Sequence, residues 1–343
     1  MILPKIYAKE VQKKPIDLSL SENPLGCSLL VAEMLRKITI NDISRYPDTG
    51  KLIQKIAERF EIRKEEVVLG CGSEQLIKLI CQTFLQKNDT ALVQGGSFPL
   101  FTKECLLSRA KVKFFQPTKT TKIGRVKLIF ICNPNNPTGE ILDPSVIENI
   151  VRKASNSIVV IDEAIGEFMK DTFITKALKT KNCLVLRTFS KAFGLAGIRI
   201  GFATGSANLI NKLDVVQQPF PVSEITCKLA LSALDDELFI NKTIKFIKKE
   251  RLFLISELKR RKLCPSDSIT NNIFVETPLA DKLIPKLNRL GVSIVPASGF
   301  PGMKKPGFRI CIKDEKTNRL FISQLDKALS CIRSKNLITS KKI

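Results

Sequence analysis

Between Val67 and Thr204 the sequence repeatedly sets a short run of β-branched and aliphatic residues ahead of a segment whose apolar residues recur at helical spacing. The runs are VVLG from Val67, TALVQ from Thr90, KVKFFQ from Lys111, VKLIFIC from Val126, SIVVIDEA from Ser157, CLVLRTF from Cys183 and IRIGFAT from Ile198. SEQLIKLICQTFLQ fills the first gap, and FPLFTKECLLSR and DPSVIENIVRK fill later ones. Alternation of this kind predicts an α/β fold with a mostly parallel seven-stranded sheet flanked by helices. After about Asn208 the pattern changes to long, Lys-rich helical stretches. Three short runs follow, NIFVET, VSIVPAS and GFRICI, with the helix-like DKLIPKLNRLG among them. They predict a second, smaller α+β domain. The expected division is a large domain over 44–240, with 1–43 and 241–343 forming the small domain and an N-terminal arm. A chain of 343 residues is long enough for two domains at roughly 100–200 residues each.

Composition removes several function classes. The chain has no histidine, which excludes a Ser-His-Asp triad, a Cys-His dyad and histidine-ligated metal, so no metal site is expected. Proton transfer must fall to lysine, carboxylate, tyrosine or a cofactor. The ten cysteines are scattered singly, with no C-x-x-C pair, and read as reduced core thiols. No apolar stretch approaches the roughly 20 residues that cross a bilayer. The opening MILPKIYAKEVQKK lacks the order of a signal peptide, so a soluble cytoplasmic protein is expected, with no membrane partner. The net charge of +23 raises the possibility of nucleic-acid binding. Its Lys and Arg residues, however, are spread along the whole chain without a nucleic-acid motif, and read as a solvated basic surface that attracts anionic substrates.

Four polar clusters directly follow four of the expected strands: Gly70-Cys71-Gly72-Ser73-Glu74, Asn133 to Gly139 (NPNNPTG), Asp162-Glu163-Ala164, and Ser190-Lys191-Ala192-Phe193-Gly194. Open parallel sheets bind ligands at these carboxyl ends. Lys191 stands among small residues that leave room for a planar ring, and a desolvated lysine in a cationic pocket has a lowered pKa. Asp162 closes a buried run and needs a partner. Gly72, Ser73 and Glu74 open a helix, so their backbone N–H groups can hold an anion. Arg199 is a ready charge-assisted donor.

With SLSENPLGCS, RYPD, GCGSEQLI, NPNNPTGE, VVIDEA, TFSKAFGLAGIRIGF and GFRICI in this order, the sequence resembles the fold-type I pyridoxal-phosphate (PLP) enzymes. Within them it is similar to the histidinol-phosphate aminotransferase branch of the class I/II aminotransferases. The resemblance covers nearly the whole chain. It implies that Lys191 is the catalytic residue, holding PLP as a Schiff base and moving the donor's α-proton. Asp162 would pair with the ring nitrogen and keep it protonated. Gly72, Ser73 and Glu74 (through its backbone), Ser190 and Arg199 would hold the phosphate. Asn136 would bond the 3-hydroxyl oxygen, Phe98 would stack on the ring, and Tyr46 would cross a homodimer interface to the neighbour's cofactor phosphate. Arg309 would bind the substrate's anion bidentately, and Asn23 would line the substrate pocket. Glu163 reads as structural. The implied activity moves an amino group from an amino acid or amino-alcohol phosphate to a 2-oxo acid acceptor such as 2-oxoglutarate.

Two positions depart from the family pattern. Ile165 stands where an aromatic hydroxyl is common, and apolar residues around Val295 stand where a second arginine is common. A PLP decarboxylase of a phosphorylated amino acid, such as threonine phosphate, shares nearly all these motifs, and CO2 release without amino transfer would mark it. A non-catalytic or nucleic-acid-binding protein on the same fold is the remaining alternative. It would need an added DNA-binding segment, and none is expected around the core.

Overall fold

The computed structural model describes residue 3 and residues 14–340. The other residues, Tyr7 and most of the opening stretch of the expected N-terminal arm among them, lie outside the described part. In chain order the strands are β1 Ile16–Asp17, β2 Val67–Gly70, β3 Thr90–Gln94, β4 Lys111–Phe115, β5 Leu128–Cys132, β6 Ile158–Asp162, β7 Cys183–Thr188 and β8 Gly201–Gly205. They continue as β9 Cys264–Pro265, β10 Asn272–Glu276, β11 Val292–Ser293, β12 Val295–Pro296 and β13 Gly307–Cys311.

The large sheet has the order β2-β8-β7-β6-β5-β3-β4. It is parallel from β7 through β4, while β8 runs antiparallel to both its neighbours. All seven expected strands are present. Alternation along β5 shows why such runs make a covered sheet. Ile129 and Ile131 join the core on one face, with Ile147 and Ile150 of the helix Pro144–Lys153. Leu128 and Phe130 join the core on the other, where Phe130 stacks on Phe101 at 4.7 Å. Only the edge differs: β4 exposes Lys111 and Lys113, charges that discourage further strand pairing.

The eighth strand is shorter than its run suggested. IRIGFAT was expected to be extended from Ile198, yet β8 begins at Gly201, and Arg199 takes a left-handed φ of 60° in the preceding turn. Phe189 to Ile200 therefore form one connection between two antiparallel neighbours, with no crossover helix. A second sheet, β12-β13-β10-β9, is antiparallel, and β1 pairs in parallel with β11. VSIVPAS thus splits at Ile294 into two strands of different sheets, and β9 is an addition to the expected three.

The N-terminal segment also divides. Leu18 donates its N–H to Ser293 O and accepts from Cys311 N, which places it on the small sheet. The helix Leu29–Arg36 instead lies on the helix Glu224–Leu234, with Val31 in the large sheet's core. Among the described residues no helix is long and apolar enough to cross a membrane. None of the ten cysteines, all among the described residues, forms a disulfide. Six are buried as expected, but Cys27, Cys71, Cys264 and Cys331 are exposed, and for these the expectation of core thiols is corrected.

Candidate active site

The carboxyl ends of β2, β5, β6 and β7 meet at a cavity of about 360 Å³. Ser73 and Glu74 reach it from the helix Gly72–Phe84, Phe98 from the loop after β3 and Asn136 from the loop after β5. Asp162 stands at the end of β6, while Ser190, Lys191 and Arg199 all lie on the β7–β8 connection. The reversal of β8 is what makes this possible. Thr188 pairs directly with Gly201, so the connection leaves and re-enters the sheet at the same edge.

Lys191 and Asp162 show how the site sets charge. Burial lowers the Lys191 amine to about 8, with Arg309 and Arg199 pushing the same way and Cys311 and Glu74 opposing. Burial raises the Asp162 carboxyl to about 7, Glu163 adds to the rise, and the Ala164 N–H (2.9 Å) and Lys191 oppose it. Asp162 is 2% exposed and faces the cavity; its neighbour Glu163 turns away. Glu163 accepts from Arg187 Nη1 at 2.9 Å, from Thr172 Oγ1 at 2.5 Å and from the Phe173 N–H at 2.7 Å. Arg187 also meets Glu167 at 2.5 Å, which makes Glu163 part of a buried scaffold.

At the other end, Gly72 has a φ of +71°, and a Cβ there would lie 2.7 Å from Arg199 Nη2. Arg199 donates to Ala196 O at 3.0 Å and meets the Glu74 carboxylate at 3.4 Å. Glu74 was expected to act through its backbone alone, so this carboxylate contact is a departure. Ser190 Oγ lies 2.9 Å from Thr188 Oγ1, which in turn donates to Ile200 O at 3.0 Å. Phe98 stands edge-on to Phe101 at 5.8 Å, which fixes the ring in the cavity wall.

Four expected residues lie outside this lining: Gly72, which opens the helix just before Ser73, and Arg309, Tyr46 and Asn23. Arg309 is 0% exposed; its Nη1 donates to Asn136 Oδ1 at 3.0 Å and its Nη2 donates to Ser19 O. Tyr46 is 81% exposed and stacks on Phe220 at 4.3 Å. Asn23 was expected in the pocket wall, but it is not among the described residues that line the cavity. Its Nδ2 donates to Ala192 O at 2.9 Å and Thr243 Oγ1 at 3.1 Å, while Oδ1 accepts from Leu25 N at 3.0 Å. The wall comes instead from its neighbours Leu20, Ser21 and Glu22.

Several lining residues are outside the expected site set. Ser21 Oγ donates to Asn272 Oδ1 at 2.5 Å and lies 3.2 Å from Cys311 Sγ, across more than 250 residues of sequence. Cys132 closes the floor, its Sγ accepting from Asn136 N at 3.4 Å, and burial raises its thiol pKa well above normal. Ile165 is buried in the cavity wall, so the common hydroxyl is replaced there by an apolar surface. Val295 is buried opposite Arg309 and packs with Phe98, Phe300 and Met303. The residues fit PLP: a buried carboxyl lines one side, an amine held near neutrality stands beside it, and a guanidinium and helix N-terminus lie at the far end.

The fold and this donor set define a fold-type I PLP enzyme. The chain belongs to the class I and II aminotransferases, matching that family over residues 13–325, and is a PLP-dependent enzyme of the histidinol-phosphate aminotransferase branch. It is similar to histidinol-phosphate aminotransferase from Ruminiclostridium cellulolyticum, at 30% identity over 93% of this chain and 94% of that protein. In fold it is similar to histidinol-phosphate aminotransferase from Sinorhizobium meliloti in complex with pyridoxal-5'-phosphate. The TM-score is 0.85 at 21% identity, covering 97% of this chain and 96% of that one. L-threonine-O-3-phosphate decarboxylase from Porphyromonas gingivalis shares the fold as well, with a TM-score of 0.82 at 22% identity over 92% and 99% of the two chains.

Proposed function

We propose that this aminotransferase takes its amino group from an amino acid or an amino-alcohol phosphate of the histidinol-phosphate kind and passes it to 2-oxoglutarate. The carrying observation is Arg309, a buried guanidinium bonded to Asn136 at the edge of the Lys191 cavity. A guanidinium fork suits one carboxylate or phosphate of the donor. The kinship with histidinol-phosphate aminotransferases supports the same choice.

Each residue then has a task. Lys191, with an amine near 8, stays largely neutral just above that pH and moves the proton at the donor's α-carbon. PLP, when bound, supplies a sink for the electron pair left at that carbon. Asp162 would hold the ring nitrogen protonated, Asn136 would bond the 3-hydroxyl oxygen, and Phe98 would cover one face. The backbone N–H groups of Gly72, Ser73 and Glu74, with Ser190 and Arg199, would hold the cofactor's phosphate. Tyr46 reaches the site of a second copy. Its exposed ring, with exposed Leu29, Ile40 and Ile43 nearby in sequence, supports a homodimer with shared sites. Ten free thiols suit a reducing compartment, the cytoplasm.

The test is a panel of amine donors against 2-oxoglutarate, with spectra of the bound cofactor in each half-reaction. Donor-dependent glutamate formation is expected. Failure of every donor would sink the proposed donor and acceptor, and CO2 without amino transfer would replace them with decarboxylation.

A further inference from the structure

Residues 18–26 form a strap with one half on the small sheet and the other on the lysine loop. On the small-sheet side, Cys311 N donates to Leu18 O at 2.9 Å and Arg309 donates to Ser19 O. Ser21 bonds Asn272, and Lys313 Nζ meets Glu22 at 3.0 Å. On the other side, the Asn23 amide donates to the carbonyl of Ala192, the residue directly after Lys191. Three residues further, the strap touches the same loop again. Gly194 has a φ of +74°, and a Cβ there would fall on the Gly26 carbonyl. The strap thus joins the guanidinium proposed to receive the donor's anion to the loop that presents the amine, through a five-residue stretch from Ser19 to Asn23.

We infer that Asn23 is a positioning residue for Lys191, fixing the lysine loop against the strap that Arg309 also grips. The alternative role, direct contact with the donor, is disfavoured by geometry. Both ends of the Asn23 amide are engaged by protein groups, and its neighbours, not Asn23 itself, line the cavity. Phe189, Phe193 and Leu195 bury the loop on either side of Lys191, and the Asn23 bond to the Ala192 carbonyl fixes the backbone directly after the lysine, so that bond bears on where Lys191 stands. Misplacement of a reacting group by about 1 Å can cost about 10²-fold in rate.

The charged and titratable groups facing Lys191 are Arg309 and Cys311 on β13, Arg199 on its own loop, Glu74 on the helix after β2 and Asp162 on β6. None changes in an Asn23 variant, so a change in the lysine's proton affinity reports its place. The experiment is pulsed reductive methylation of the cofactor-free full chain across pH, with Lys191 followed by peptide mass spectrometry, beside steady-state kinetics of the holoenzyme. In the native protein the Lys191 midpoint is expected at about 8. Asn23→Ala should move it up by about one unit, toward an ordinary lysine, while Thr243→Val, which spares the Ala192 bond, should leave it in place. In the holoenzyme Asn23→Ala should lower kcat about tenfold or more, with KM for the donor within about twofold.

An unmoved midpoint, or a raised KM with kcat intact, would overturn the inference. Should Asn23→Ala fail to fold, Asn23→Ser keeps an acceptor for Leu25 N but is too short to reach Ala192, and the same outcomes apply. The kinetic arm rests on the aminotransferase reading; the labelling arm uses no donor and decides the inference even if the proposed donors fail.

Discussion

At the cofactor end of the cavity, several proposed contacts are fixed within a few residues of their own strands. Asp162 is held by the Ala164 N–H, Ser190 by Thr188, and Arg199 by the Ala196 carbonyl. At the substrate end nothing is local. Ser21 meets Asn272, Arg309 meets Ser19, and Arg309 meets Asn136, all across 170 residues or more. A site built this way keeps its chemistry while its specificity shifts, because small-sheet residues can change without disturbing the strand ends. Val295 fits that account, an apolar residue opposite Arg309 on the small sheet, whereas Ile165 shows the limit of it, since it follows the end of β6 on the cofactor side.

If the two ends are separable, substitutions should sort by end. The largest effect belongs to Lys191→Ala. Borohydride reduction with PLP should no longer label the peptide TFSKAFGLAGIR, and transamination should fall by about 10³-fold or more. Labelling of another peptide would break the assignment. Asp162→Asn comes next, with kcat expected to drop on the order of 10²-fold while donor KM stays nearly constant. A loss confined to KM would place Asp162 on the wrong end. Arg309→Lys tests the opposite end. A point charge replaces a bidentate fork, so donor KM should rise about tenfold with kcat changed less. Equal losses in both constants, with cofactor loss, would show that Arg309 serves the cofactor through Asn136. Tyr46→Phe should be smallest, removing one hydroxyl from a neighbour's site. Retention of PLP on dilution should weaken severalfold, as for one hydrogen bond worth about 1 kcal/mol. Mixed dimers with a Lys191→Ala chain would show whether the effect falls on the other subunit.

The same local–distant contrast explains what could be read in the sequence. Most strands of the large sheet were legible because they are short, largely apolar runs, and Ser73, Asn136, Asp162 and Lys191 because each comes soon after such a run. The start of β8 was misread since Ile198 and Ile200 look extended, while the left-handed turn at Arg199 is set by its contacts with Ala196 and Glu74. Asn23 was placed in the pocket because its segment does line it; one residue decides whether a side chain faces the cavity or the lysine loop. Ser21, Asn272 and Cys311 lie within SLSENPLGCS, NIFVET and GFRICI, but nothing in those segments marks them as partners. Each is an ordinary polar or thiol residue until folding brings the three together.

The reversed β8 has a consequence for how the site comes into being. A parallel neighbour can pair only after a long crossover closes, whereas β7 and β8 meet across a loop of about a dozen residues, and short loops close early. Lys191 and Arg199 ride on that loop, so amine and guanidinium become neighbours as soon as Leu186 finds Ala203. On this account the pair is assembled ahead of the distant strap, and pulsed hydrogen exchange during refolding should protect the Phe202 amide, which faces Arg187 of β7, before that of Cys311, which waits for Leu18.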